Sequence, residues 1–426
     1  MPRPLAVVNR RHRPVASETV VIIGAGQAGA QAAITLREQG FGGRVVLLGD
    51  EGLPPYQRPP LSKAFLAGQL SVDRLYLRPA EYYAAQGIEL KLHAQVESID
   101  PRAARIRLCG GGRIGYDQLL LATGSRARKV EFPGARGPDV HYLRTLQDAL
   151  RLRESVTRGR RIAIIGGGYI GLEVAASAAA AGAAVTVVEA ECGLLTRVTT
   201  PAIGEFFAAA HRRHGVTVLC GTRVTAVLGG ERLAAVETTR GNVAADLAVV
   251  GVGAVPNAEL AQAAGLLCDN GIVVDEYCRT SDPNILAAGD CTSHPNRSLR
   301  PRQRLRLESV QNAVDQGTTA ALNMAGQPTR YAEVPWFWSN QYDYKLQTAG
   351  TFAGHDEIIE RGNRASGSFA LLYRREGVLL GVDAVNMPRE YMMARKELAL
   401  QLCEPRADEP QAAAPPRALA ASRRAA

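Results

Sequence analysis

The chain has 426 residues, 46% of them hydrophobic and 21% charged, with 43 glycines and a net charge of +9. That is a globular composition and, at roughly 150 residues per domain, a length for two to three domains, which excludes disorder or a small disulfide scaffold for the body of the chain. The seven cysteines (Cys109, Cys192, Cys220, Cys268, Cys278, Cys291, Cys403) are scattered without a CxxC pair, so reduced thiols in a cytoplasm are expected, and no metal site.

In chain order, residues 1–18 mix proline with Arg3, Arg10, Arg11 and Arg13 and lack the apolar core of a secretory signal; they read as a disordered basic tail. No run of about 18 apolar residues follows, so membrane insertion is not expected; the Ala-rich stretch near 174–188 is broken by Ser177, Gly182 and Thr186. A strand, Val20 to Ile23, leads into Gly24-Ala25-Gly26-Gln27-Ala28-Gly29, an Ala-rich helix, and a second strand, Val45 to Leu48, ending near Asp50. This order is the dinucleotide fingerprint: Gly24 allows a tight turn, Gly26 lets backbone approach a pyrophosphate, and Gly29 lets helix and strand pack closely. The helix N-terminus then faces the phosphates, and Asp50 would hold ribose hydroxyls.

A second copy starts 142 residues on: Ile162 to Ile165, then Gly166-Gly167-Gly168-Tyr169-Ile170-Gly171, then Val185 to Val188 and Glu189. Two dinucleotides are implied. Glu189 accepts from a ribose 2′-hydroxyl and repels a 2′-phosphate, and no arginine follows before Arg197, which favours NADH over NADPH. Thr280 to Asp290 then fits the pattern Thr, six residues, Ala, any residue, Gly, Asp, which resembles the flavoprotein signature and would bring the Asp290 carboxylate to FAD.

Five arginines, Arg297, Arg300, Arg302, Arg304 and Arg306, follow without an acid between them. With the two tails they account for the whole net charge. Such a stretch is either a solvated loop or a docking patch for an acidic partner; nucleic acid is disfavoured because no basic-aromatic interleaving accompanies it. A helical run reaches Met324, and from Glu333 the composition shifts to a smaller unit with Trp336 and Trp338, alternation over Lys345 to Phe352, Ser368 to Leu372 and Val378 to Asp383, and a helix from Arg389 to about Leu402. Residues 404–426, rich in Ala, Pro and Arg, read as a second disordered tail.

From Thr19 to Leu402 the chain resembles the NADH-dependent ferredoxin reductases that serve bacterial oxygenases, the family of putidaredoxin reductase and rubredoxin reductase. The resemblance is carried by Pro59-Pro60-Leu61-Ser62-Lys63, Leu121 to Gly124, Tyr142 to Leu146, Gly166 to Glu173, Pro256-Asn257, Thr280 to Asp290 and Trp336 to Ser339. Apoptosis-inducing factor and monodehydroascorbate reductase are more distant relatives of the same fold. The resemblance implies an α/β fold with two doubly wound dinucleotide-binding domains of the glutathione-reductase type and a small C-terminal α+β domain. Its boundaries would be 19–127 plus 255–328 for FAD, 128–254 for NAD and 329–403 for the C-terminal domain. FAD would lie on Gly24, Gly26, Ala28, Gly29, Asp50, Lys63, Val96, Thr123, Arg144, Asp290, Val310 and Trp336. NADH would lie on Gly166, Gly168, Tyr169, Ile170, Gly171, Glu189 and Gly253. By the same resemblance Lys63 would sit beside the flavin ring, paired to Glu173, as a catalytic pair; without it, Lys63 reads as a surface lysine. No cysteine precedes Cys109, so a thiol relay is not expected, and electrons would leave the flavin directly for an acidic two-iron ferredoxin. The competing readings are an NADH oxidase or quinone-type reductase, and a factor-like flavoprotein.

Overall fold

The computed structural model describes residues 18–296 and 304–403. The expected tails, apart from Glu18, and Arg297, Arg300 and Arg302 lie outside the described residues. In chain order the main elements are β1 (Thr19–Ile23), α1 (Gln27–Glu38), β2 (Arg44–Leu48), β3 (Ile88–Lys91) and β4 (Gln118–Leu121). Next come β5 (Val140–Tyr142), β6 (Arg161–Ile165), α2 (Tyr169–Ala180), β7 (Ala184–Val188), α3 (Pro201–Arg213), β8 (Thr217–Leu219) and β9 (Leu247–Val250). They are followed by β10 (Ile285–Ala287) and α4 (Val310–Met324). The C-terminal unit has β11 (Trp336–Gln341), β12 (Tyr344–Gly350), β13 (Glu357–Asn363), β14 (Ser368–Arg375), β15 (Val378–Val385) and α5 (Pro388–Cys403).

Continuous runs such as Val20-Val21-Ile22 are buried on both faces, as parallel strands covered by helices require. They build two parallel five-stranded sheets, β10-β4-β1-β2-β3 and β8-β7-β6-β9-β5. In each, the fingerprint strand lies inside the sheet where the strand order reverses, so both glycine turns open at the carboxyl ends of the strands, at the crevice where such folds take ligands. The chain leaves the first unit and returns to it through two short strands, Ser125–Ala127 and Ala254–Pro256, which pair antiparallel.

The third unit is an antiparallel sheet in the order β11-β12-β15-β14-β13. Period-two alternation gives it two apolar faces. Leu346, Phe369, Leu371, Tyr373 and Val385 join the core of the second parallel unit, around Phe206 and Phe207 of α3. Ala370, Leu372, Val382 and Ala384 pack instead with Tyr391, Ala394 and Leu398 of α5. Two of its strands have no signal in the sequence pattern. β13 is an almost wholly exposed edge strand, held by its pairing with β14 rather than by burial, and β11 carries a mixed aromatic and polar face.

Candidate active site

Both glycine turns are shaped by positions where a side chain has no room. Gly24 has φ +111, and a Cβ there would meet Ala122 O at 2.1 Å; Gly29 would meet Gly24 O at 1.9 Å. Gly166, at φ +107, would meet Gly251 O at 2.5 Å, and Gly171 would meet Gly166 O at 2.3 Å. Those four glycines are required by the protein's own backbone. Gly26 and Gly168 are different: a Cβ at Gly26 would meet nothing within 4 Å, and at Gly168 only Gly251 O at 3.9 Å. Each is the N-cap of its helix and has no side-chain cap, so the first-turn N–H groups of α1 and α2 face open space, which is the shape a pyrophosphate needs.

Asp290 follows β10 into the first crevice. Thr280 closes the turn before β10 by donating to Ile285 O at 2.8 Å, and Gly289, at φ +88, has room only because it lacks a Cβ, which would lie 3.0 Å from Ala28 Cβ. The Asp290 carboxylate accepts from Arg144 Nη2 and from Ser125 Oγ, both at 2.9 Å. Arg144 Nε is buried and finds no partner among the described residues. A buried guanidinium N–H without an acceptor is costly, and a ligand oxygen in this crevice would satisfy it. Arg58 backs the cluster, donating to Arg144 O at 2.8 Å, to Tyr56 Oη at 3.0 Å and to Glu51 Oε1 at 2.7 Å. Thr123 and Asn257 hold the crossover: Thr123 Oγ1 donates to Asn257 O at 2.6 Å and Asn257 Nδ2 to Thr123 O at 2.9 Å.

Lys63 and Glu173 meet between the two crevices. Lys63 ends the 3₁₀ turn Pro59–Ser62, and Glu173 lies in the second turn of α2. Lys63 Nζ donates to Glu173 Oε2 at 2.6 Å and to Pro59 O at 3.1 Å, leaving one of its three N–H groups for another acceptor. Glu173 is 3% exposed and receives two further hydrogen bonds, from Ser62 Oγ to Oε2 at 2.6 Å and from Ser339 Oγ of β11 to Oε1 at 2.7 Å. Both oxygens of the buried carboxylate thus have donors in place.

At the second crevice, Glu189 directly follows β7 and accepts from Gly167 N at 2.5 Å and Glu191 N at 2.7 Å. Ile170 is exposed at the rim, while the Tyr169 ring turns inward onto Phe337, 4.5 Å between centroids. Gly253, at φ +103, lies beneath Arg197, whose Nη2 is 3.6 Å from where its Cβ would be. Arg197 thus reaches the mouth of this crevice from a loop that sequence spacing treats as distant.

Other expected residues have plainer surroundings. Asp50 is exposed just past β2, and Val96 is buried in the core under the first sheet. Val310 opens α4, whose N-cap Ser309 accepts Asn312 N at 3.1 Å. Trp336 packs on Tyr391 with Arg395 over its ring at 4.8 Å, and its buried Nε1 has no partner among the described residues. Two of the five arginines of the expected docking stretch bond to other groups of the chain. Arg304 donates to Ser293 O and, at 2.6 Å, to Val274 O, pinning a hairpin, and Arg306, 14% exposed, pairs with Glu308. Arg304 is nonetheless exposed, and both guanidinium groups are tied in part to nearby carbonyls or a carboxylate. Spacing gives no sign of Ser62, Ser125, Arg58 or Ser339; each makes a contact with a residue far away in the chain.

The thiols stand apart from this chemistry. Cys278 and Cys291 are buried, and burial pushes both up, towards the unreactive protonated form. Among the described residues no cluster of three His, Cys, Asp or Glu could hold a metal, and no helix is long and apolar enough to cross a membrane.

Two dinucleotide cradles joined by one buried ion pair suit a single kind of chemistry, passage of reducing equivalents from one bound nucleotide to the other, and so define a flavin- and pyridine-nucleotide-dependent oxidoreductase. Comparison with known proteins agrees. Residues 18–317 match the model for pyridine nucleotide-disulphide oxidoreductases and residues 336–420 the reductase C-terminal model. Rhodocoxin reductase of Rhodococcus erythropolis is 48% identical over 387 residues, covering 90% of each chain. Putidaredoxin reductase of Pseudomonas putida is 41% identical over 388 residues, covering 89% of this chain and 92% of its own. Among solved structures, the covalent putidaredoxin reductase–putidaredoxin complex gives a TM-score of 0.88 at 40% identity over 90% of this chain and 94% of that one. The chain belongs to the pyridine nucleotide-disulphide oxidoreductases, within their NADH-dependent ferredoxin reductases, and FAD and NAD(H) are the cofactors of that family.

Proposed function

We propose that the protein carries electrons from NADH, through FAD, to an acidic two-iron ferredoxin or a rubredoxin that feeds an oxygenase such as a haem-thiolate monooxygenase. Relatives named for rhodocoxin, putidaredoxin and rubredoxin, 36–48% identical, support that acceptor class. Bound FAD supplies acceptance of a hydride and release of single electrons. The protein's part is binding and electrostatics: Gly26 and the N-terminus of α1 take the pyrophosphate, and Arg144 and Asp290 hold the chain of the cofactor. Gly168, Glu189 and Gly253 seat the nicotinamide nucleotide, and Glu189 selects the unphosphorylated ribose. Lys63, held by Glu173, presents a cation to the flavin edge and favours negative charge there.

The observation that carries the reading is the Lys63–Glu173 pair at 2.6 Å between two cradles, with no thiol among the described residues that bond to it. We assign 19–127 and 255–328 to the FAD domain, 128–254 to the NAD domain and 329–403 to the C-terminal domain. The partner would dock on the arginine segment through Arg297, Arg300 and Arg302, since Arg304 and Arg306 already have internal partners. A cytoplasmic location follows from the need for NADH and reduced thiols. The test is acceptor preference: NADH-driven reduction of a two-iron ferredoxin, followed with cytochrome c, should outrun consumption of oxygen or quinone.

A further inference from the structure

A chain of buried side chains continues behind Glu173, across the sheet of the C-terminal unit. Ser339 and Gln341 alternate on β11 and so share one face, opposite Trp336 and Trp338. Ser339 Oγ meets Glu173 Oε1 at 2.7 Å, Gln341 Nε2 meets Ser339 Oγ at 3.2 Å, and His211 Nε2 of α3 meets Gln341 Oε1 at 2.9 Å. The Tyr342 hydroxyl meets His211 Nδ1 at 2.9 Å. Ser339 and His211 are fully buried and Gln341 is 1% exposed.

The hydrogens along this chain have only one consistent arrangement. The Glu173 carboxylate, paired to Lys63, only accepts, so Ser339 gives it its single hydrogen and must itself accept from Gln341. The Gln341 amide therefore turns its NH₂ to Ser339 and its carbonyl to His211, which obliges His211 to carry its hydrogen on Nε2. Burial, with His214 at the C-cap of the same helix adding to it, pushes the His211 imidazole down to about 4, so near neutral pH Nδ1 is an acceptor and Tyr342 donates. Gln341, His214 and Tyr342 are the groups that face His211 in these contacts. Tyr342 occupies the two-residue turn between β11 and β12 at φ +54, a place where glycine or asparagine is usual. Its ring lies flat on His214, 3.7 Å between centroids. A bulky residue held in the left-handed region is strain kept for a reason, and here it delivers the hydroxyl that starts the chain.

We propose that Tyr342, His211, Gln341 and Ser339 form a one-way hydrogen-bond relay of positioning residues, every donor directed towards Glu173, which locks that carboxylate and thereby aims Lys63. The proposal rests on the reading of Lys63 and Glu173 as the pair at the flavin edge. It also ties the three units together at a single carboxylate: Lys63 comes from the first, Glu173 and His211 from the second, and Ser339, Gln341 and Tyr342 from the third.

The test uses the full-length holoenzyme with isotope-labelled histidine, the His211 resonances being those absent from a His211→Gln variant. The expected result is a neutral Nε2–H tautomer near neutral pH; an Nδ1–H tautomer or an imidazolium would overturn the relay. Gln341→Glu should draw the Ser339 hydrogen away from Glu173 and turn His211 into the imidazolium. Ser339→Ala should release the Gln341 amide from its fixed orientation and slow flavin reduction by NADH about tenfold, the effect of losing one hydrogen bond to a charge. The NADH dissociation constant should be unchanged, and Ser339→Thr should restore the rate. A wild-type rate in Ser339→Ala would break the link from relay to Lys63. Flavin reduction unchanged in Glu173→Gln, with the Nε2–H tautomer intact, would instead refute the flavin-edge reading and leave the relay standing.

Discussion

Glu173→Gln is the sharpest perturbation of the site because it removes a charge. The single amide oxygen can accept at only one of the two carboxylate positions; placed to accept from Ser339 it puts the NH₂ towards Ser62 and Lys63, and Lys63 then keeps only Pro59 O at 3.1 Å. At 2.6 Å the gross attraction between the two charges is roughly 6 kcal/mol for an effective dielectric of about 20. Most of that offsets desolvation. Removing one partner of a buried pair costs about 3–5 kcal/mol, and because Lys63 is 17% exposed its ammonium can move towards water, so the low end of that range applies. The variant should lose about 3 kcal/mol of unfolding free energy in denaturant titrations. With the cation displaced from the flavin edge, anaerobic stopped-flow reduction by NADH should slow about 10- to 100-fold while NADH affinity holds, in keeping with the loss of one oriented electrostatic group. Reduction at the wild-type rate would refute the reasoning, whatever the stability.

Three further outcomes are expected. Gly24→Ala should fail to fold, since its Cβ would lie 2.1 Å from a carbonyl oxygen, whereas Gly26→Ala, with nothing within 4 Å, should fold but purify with less flavin; flavin-to-protein ratio and circular dichroism separate the two. Asp383 is buried at the contact between the C-terminal sheet and Thr199, accepting from Thr199 and from Tyr373 at 2.7 Å, and burial raises it from 3.8 to about 6. The folded state then binds the extra proton across that window, so this group's contribution to stability falls as pH rises through it. Relative to wild type, Asp383→Asn should gain about 1–3 kcal/mol above pH ~6 and almost nothing near pH ~4. Reduction of an acidic ferredoxin should fall steeply with ionic strength, and Arg302→Glu should raise its apparent Michaelis constant several-fold while NADH–ferricyanide activity is untouched.

What the sequence discloses and what it hides divide along the range of the forces involved. The two glycine turns and the Thr280 to Asp290 segment are local: each residue type answers a steric or hydrogen-bonding need within a few positions, as Gly24 and Thr280 illustrate. The meeting of Lys63 with Glu173 spans 110 positions and was expected only through resemblance, because no local pattern encodes it. Ser339 and Gln341 sit in a strand whose aromatic neighbours dominate any reading of pattern. Only the packing of β11 on α2 shows that the polar residues, not Trp336, face Glu173. Arg304 and Arg306 make the opposite point. A run of arginines reads as free charge, yet two of them are held by carbonyls and a carboxylate close at hand, a distinction that depends on side-chain surroundings rather than composition.

The most direct test of the whole account compares acceptors under one NADH supply. Purified, flavin-loaded protein should reduce an acidic two-iron ferredoxin, read out through cytochrome c, many times faster than it consumes oxygen or reduces a quinone. Faster oxygen or quinone turnover, with ferredoxin reduction no quicker than an uncharged control acceptor, would contradict it.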